Sequence, residues 1–231
     1  MPTNQNIKVS VDAVVFGYST TNGLSVLLIQ RKIAPYINEW ALPGGLVLNE
    51  ESLEDAVKRE LHEETGVSIN YLEQLYSFGT PNRDPRNRVI SISYYGMVRP
   101  DSFELMADTD AKDAQCFHIN DLPSLAFDHS EIVQLALKRL KAKITYEPIG
   151  FELLDEKFPF SDLEKLYASV LNVALDRRNF RKKIMQFGIL EDTGEKQQHT
   201  GAGRPGPLYK FNPSKYKALK EGNFHFDIKF A

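Results

Sequence analysis

The sequence predicts an α/β layered domain followed by a smaller unit built on a basic helix and a hairpin. Three observations carry this. Up to about residue 145, β-branched runs alternate with two segments of helical period. A breaker-rich stretch at residues 146–150 (YEPIG) then changes the composition. Beyond it Arg177, Arg178, Arg181, Lys182 and Lys183 crowd one short helical segment, although the chain as a whole has a net charge of −3. With 231 residues there is room for one domain of about 150 residues and a second, smaller one, divided here as 1–148 and 149–231.

Taken in order, residues 8–16 (KVSVDAVVF) and 25–31 (SVLLIQR) read as strands, and the turn-rich TTNG at 20–23 makes them a hairpin. Residues 40–45 (WALPGG) break the chain again, and the two glycines allow a close backbone approach. Ser52 is placed to cap the N-terminus of a helix, with Asp55 as its reciprocal partner, and Gly66 is placed to stop it. Residues 72–78 and 89–98 read as strands around a polar loop at 79–88, followed by a strand near 114–119 and a helix over about 130–143. In the second part, a helix starts at residues 160–164 with a Ser161/Glu164 capping box. Another runs over 176–188, with Gly188 as its stop. Two short strands, 189–190 and 208–211, flank a glycine- and proline-rich loop at 193–207.

Bulk properties exclude several classes. Hydrophobic residues make up 42% and charged residues 26%, ordinary for a soluble globular protein, and with a net charge of −3 any nucleic-acid surface has to be local. The lone Cys116 excludes an intrachain disulfide framework and reads as a small core residue. The N-terminus has neither the basic nor the apolar segment of a secretory signal, and no apolar run approaches the roughly 20 residues of a membrane span. The expectation is a cytoplasmic protein without a membrane partner.

Residues 45–67 carry the chemistry. Wound at about 100° per residue, Leu53, Ala56, Val57, Glu60, Leu61 and Glu64 share one face, while Lys58 and His62 point away. The inward face is thus apolar in its first half and acidic in its second, with Glu63 on its flank. Carboxylates on a core-facing surface repel and lose hydration, and a hard divalent cation compensates both losses. Arg59 is positioned to brace Glu51 or a neighbouring carboxylate through paired hydrogen bonds. A solvated acidic helix face is the plainer reading, but it leaves Gly45, Glu51, Arg59 and the closing Gly66-Val67 unexplained.

That spacing, Gly45, Glu51, Arg59-Glu60-Leu61, Glu63-Glu64 and Gly66-Val67, resembles the signature of the Nudix hydrolase family at every position. The resemblance implies an α/β/α sandwich with a mixed sheet and hydrolysis of a nucleoside diphosphate linked to another group. Glu60, Glu64 and Glu63 would hold Mg²⁺ (or Mn²⁺) together with Gly45, with Arg59 and Glu51 supporting them. The general base varies within the family, and Glu104, Asp108 and Asp110 stay open for it. The loop arginines Arg83, Arg86 and Arg88 suit phosphate or ribose contacts, and their R-D-P-R run is similar to that of members acting on ADP-ribose. His129 reads as a helix-cap histidine or a substrate contact, and Tyr36 and Trp40 as core aromatics or base-stacking ones.

In the second part Phe180, Ile184 and Phe187 form an apolar stripe beneath the exposed basic residues, and Arg204 sits in the glycine-rich tip of the hairpin. A basic helix followed by such a hairpin is the layout of a winged helix that enters a DNA groove. Joined to the first domain, and with its G-R-P-x-x-L-Y hairpin, it resembles the Nudix-related transcriptional regulators. This implies contact with an operator duplex by Arg177, Arg178, Arg181, Lys182 and Arg204, with two copies of the chain on two half-sites as a homodimer. The nucleotide-binding domain would sense ADP-ribose or a related nucleotide sugar and, with every acidic position intact, hydrolyse it. A housekeeping pyrophosphatase whose C-terminal part touches no DNA is the alternative.

Overall fold

The computed structural model describes residues 5–69, 71–99, 111–197, 206–222 and 226–228. It divides the chain into two compact units: Met1–Gly17 with Leu24–Arg139, and Tyr18–Gly23 with Leu140–Ala231. The division falls inside one helix and at the tip of one strand hairpin.

The first unit is built on a seven-stranded mixed sheet. β1 (Lys8–Ser19) lies at its centre, flanked by β2 (Gly23–Arg31) and by β6 (Val89–Val98). β1 and β6 run parallel from Lys8↔Val89 to Gly17↔Val98. The short β3 (Trp40–Ala41) pairs with β2, and β4 (Gly44–Leu46) pairs with β1. β5 (Tyr71–Phe78) pairs with β6, and β7 (Ala111–His118) with β2, both antiparallel. β1 is buried on both faces, so it reads as a continuous apolar run instead of an alternating one.

Helix α1 (Leu53–Thr65) packs Ala56, Val57 and Leu61 against Val11, Ala13 and Val15, the odd-numbered face of β1. The even-numbered face carries Asp12, which meets His129 at the start of α2 (His129–Tyr146). Side chains alternate across a strand, so the two helices cover opposite faces, as expected of an α/β/α sandwich. Both ends of α1 form as read from the sequence. Ser52 Oγ accepts from Asp55 N at 3.1 Å, and Gly66 turns left-handed at φ 73° with its N–H on His62 O.

The second unit is a winged helix. α3 (Phe160–Leu171) and α4 (Arg177–Phe187) pack together, and three strands follow in the order β8 (Phe158–Pro159), β10 (Pro207–Phe211), β9 (Leu190–Lys196). Its core is aromatic: Phe160 and Tyr167 meet Phe180, and Phe151 stacks on Phe211 at 4.4 Å between ring centres.

Four details of this unit differ from expectation. Ser161 caps nothing, because the helix already begins at Phe160 with Pro159 in the extended cap position and no side-chain cap bond. Burial of Phe160 fixes that start. β9 reaches Lys196, into a segment whose polar, exposed residues read as loop. β8 is two residues long, too short to show a period, and pairs Pro159↔Leu208 and Phe158↔Tyr209. A last helix, α5 (Pro213–Glu221), has no buried residue and therefore no apolar stripe to reveal it.

Ile184 is fully buried in α4. Ile184→Ala should lower the stability of this unit by about 3 kcal/mol, measured by urea unfolding monitored by circular dichroism.

Candidate functional site

The acidic half of α1 forms one wall of a groove of about 490 Å³ in the first unit. Glu60, Glu63, Glu64, Gly45 and Leu48 line one side, and Arg31, Asp84, Arg86 and Asn87 line the other. Gly44 and Gly45 make the acidic wall possible. The Gly44 N–H donates to Glu64 Oε2 at 2.8 Å, and a Cβ on Gly44 would lie 2.2 Å from Val11 O. A Cβ on Gly45 would lie 2.3 Å from Glu60 Oε1, so any larger residue there would push that carboxylate aside.

Arg59 organises the carboxylates. Its Nε and Nη2 grip Glu51 as a fork at 2.9 and 2.7 Å, while Nη1 donates to Glu60 Oε1 at 2.9 Å and to Glu63 Oε2 at 3.1 Å. The fork, helped by the Leu48 N–H, holds the Glu51 carboxyl down at about 2. Burial pushes Glu60 the other way, above the usual carboxylate range, against the opposing pull of Arg59. Among the described residues no group of three His, Cys, Asp or Glu side chains stands ready as a metal cluster, and Arg59 bridges two of the carboxylates. The half-buried Glu60, the buried Glu64, the Gly45 cradle and the acidic wall are nonetheless the donor set a hard oxygen-seeking cation takes.

The three loop arginines part company. Arg86 faces the groove, forked by Asp84 at 2.8 and 3.1 Å and lying over the Phe127 ring. Arg83 is buried behind it: Nε and Nη2 donate to Asp128 at 2.9 and 2.6 Å, and Nη2 reaches Asp12 at 3.3 Å. Arg88 donates to the carbonyls of Val89 and Thr80 and does not line the groove. Sequence reasoning missed Arg31, whose Nε donates to Pro35 O at 2.9 Å while its guanidinium covers Phe127 at 4.9 Å. Its only local signal is a positive charge ending the apolar run of β2. Trp40 packs on Phe117 and Tyr36 on Phe127, so both aromatics belong to packing. Glu104, Asp108, Asp110 and Arg204 lie outside the described residues.

His129 stands at the start of α2 and also lines a smaller cavity beside the groove. It is 4% exposed, and its Nδ1 accepts the Leu42 N–H at 2.9 Å, which holds the turn before Gly44. In the second unit, α4 buries Phe180, Ile184 and Phe187 and exposes Arg177, Arg178, Arg181 and Lys182. Asp176 caps it by accepting from Asn179 N at 3.1 Å. Arg181 is also anchored, donating to Tyr209 OH at 2.9 Å and lying over Phe160 at 4.5 Å, so this arginine locks the helix to β10.

The family profile of the NUDIX domain matches residues 7–136, more than half of the chain. The chain belongs to the Nudix family. Nudix hydrolases generally use a divalent metal. A second profile, the NrtR DNA-binding winged helix domain, matches residues 150–211 of this Nudix protein. The chain is 30% identical over 220 residues to the ADPR responsive transcriptional repressor NtrR of Acinetobacter baylyi, covering 94% of this chain and 84% of that one. Shewanella oneidensis NrtR complexed with a 27mer DNA superposes with a TM-score of 0.77 at 30% identity, covering 96% of this chain and 99% of that one. The ADP-ribose pyrophosphatase of Methanocaldococcus jannaschii is 45% identical over 109 residues, 47% of this chain and 63% of that one. No described helix of this Nudix protein is long and apolar enough to cross a membrane.

Burial holds the His129 pKa below its ordinary 6.5. The unfolded chain therefore takes up a proton near pH 6.5 that the fold refuses, so stability present above that pH declines as pH falls through it and levels off below the folded pKa. Thermal unfolding midpoints should drop between about pH 7.5 and about pH 5.5. His129→Asn, whose carbonyl can still accept the Leu42 N–H, should flatten that drop.

Proposed function

We propose that this protein is a DNA-binding transcriptional repressor whose Nudix domain binds ADP-ribose and hydrolyses it with Mg²⁺ or Mn²⁺. One observation carries the reading: a single chain joins the acid-and-arginine groove to a winged helix with a basic outer face, and the repressor relative matches 94% of it. The protein acts in the cytoplasm as a homodimer on two half-sites, with its domains dividing at residues 148 and 149.

In the groove, Arg86 and Arg31 hold the diphosphate, and Glu60, Glu64 and Glu63, with Gly45 beside them, would hold the cation. Bound there, a divalent cation would supply Lewis-acid neutralisation of charge on the diphosphate. Glu51 keeps Arg59 in place, and Arg59 keeps the carboxylates ordered. Asp84 competes with the ligand for the Arg86 fork, so binding exchanges one charge-assisted pair for another. Arg177, Arg178 and Lys182 take phosphates of the duplex, Arg181 fixes the helix that presents them, and Arg204, from the segment that joins β9 to β10 in the sequence, adds to the contact.

The second reading is a pyrophosphatase whose winged helix touches no DNA. The complete acidic wall and the 45% identity to an archaeal pyrophosphatase over residues of the Nudix domain favour it.

A reciprocal pair of variants separates the two. Glu64→Gln should reduce release of AMP from ADP-ribose and Mg²⁺ by at least about a thousandfold while leaving affinity for the upstream duplex unchanged. Arg178→Ala should weaken duplex binding, measured by fluorescence anisotropy, and lower the salt dependence by about one phosphate contact while leaving hydrolysis intact. If no duplex is bound even at low salt, the repressor reading fails and the pyrophosphatase reading stands.

A further inference from the structure

Beside the groove, lining the smaller cavity that shares Arg31, Gly44 and Arg86 with it, lies a buried charge cluster outside the acidic wall. Arg83 comes from the loop at 79–88, Asp12 from β1, and Asp128 and His129 from the start of α2. The Arg83 and Asp12 side chains are only 5% and 9% exposed, and that of Asp128 15%. Arg83 clamps Asp128 with two hydrogen bonds and reaches Asp12, which also accepts from Ser91 Oγ. His129 Nε2 stands 3.6 Å from Asp12, and its other nitrogen holds Leu42. A buried arginine shared by two acids costs several kcal/mol per ion in lost hydration, and an apolar core would avoid that cost. Such a cluster is suited to specifying one arrangement of the elements it joins.

The elements it joins are informative. The loop that supplies Arg83 also places Asp84, Arg86 and Asn87 in the groove. The helix that supplies Asp128 and His129 at its start continues through residue 139 into the second unit. Its first half buries Ile132, Val133 and Ala136 in the first unit. Its second half buries Leu140 and Ile144, the latter against Gly150, in the second.

Resting on the repressor reading, we infer that the Arg83–Asp128 clamp is a positioning device that couples ligand in the groove to the set of α2, and through that continuous helix to DNA affinity. A diphosphate drawn to Arg86 shifts the Asp84–Arg86 fork. Arg83, three residues away on the same tight loop, turns that shift into a displacement of Asp128. Asp128 lines neither cavity itself; its side chain is hydrogen-bonded to Arg83, which lines the smaller one.

The test measures duplex affinity of the full chain with and without ADP-ribose, for the wild type and for Asp128→Asn. The substitution keeps the shape and one acceptor, and Arg83 keeps Asp12. Wild-type coupling should be at least about tenfold, and in the variant it should fall below about threefold. ADP-ribose affinity and ligand-free duplex affinity should each stay within about threefold of wild type. A merely structural role would instead lower both binary affinities and the unfolding midpoint while leaving their ratio intact. Hydrogen exchange on the wild-type chain supplies the second arm: ADP-ribose should change protection of the amides in the first two turns of α2. Coupling that survives in Asp128→Asn, or exchange in α2 that ignores the ligand, overturns this inference alone. A wild-type duplex affinity indifferent to ADP-ribose overturns the repressor reading and this inference with it.

Discussion

The guanidinium of Arg59 is what lets one helix carry so much negative charge on its inward side. Glu51 grips it from the loop before the helix, and it reaches Glu60 and Glu63 from a position adjacent to both. Without that bridge, Glu60 would be a half-buried carboxylate beside two others, and burial already raises its proton affinity. The apolar half of the same helix, Ala56, Val57 and Leu61, fixes the acidic half in space by packing on β1. Gly44 and Gly45 complete the arrangement, because any larger residue would collide with β1 or with the Glu60 carboxylate.

The site was legible in the sequence where its logic is local. Ser52, Asp55 and Gly66 act within one helix, and Glu51 with Arg59 act across eight residues, so spacing alone disclosed them. Their resemblance to the Nudix signature added the expected sandwich. What stayed hidden depends on distant pairing. Arg83 looked like a surface arginine of a polar loop, because its partners Asp12 and Asp128 lie 71 and 45 residues away. Arg31 and Lys8 enter the groove through sheet topology, which no local pattern states. The Ser161 cap was misread for a related reason: the tertiary burial of Phe160 moved the helix start one residue upstream of the capping pattern.

The two units use opposite electrostatics within a nearly neutral chain. The first concentrates carboxylates around a groove whose far side is cationic, a surface suited to a bridging cation and a diphosphate together. The second places arginines and lysines on the outer face of α4 and commits Arg181 to holding that helix on β10. Because these charges sit on separate compact units, a ligand effect on DNA requires a mechanical link. Helix α2 runs through both units, and so does the β1–β2 hairpin, whose residues Tyr18–Gly23 belong to the second.

Diphosphate chemistry in this groove requires the acidic wall to be a cation site. Titration of the full chain with Mn²⁺, followed by the electron paramagnetic resonance of the free ion, measures this without any nucleotide or turnover. Binding to the wild type should be saturable and should weaken by more than about tenfold in Glu60→Gln and in Glu64→Gln. Equal Mn²⁺ affinity in all three proteins would contradict a cation site there.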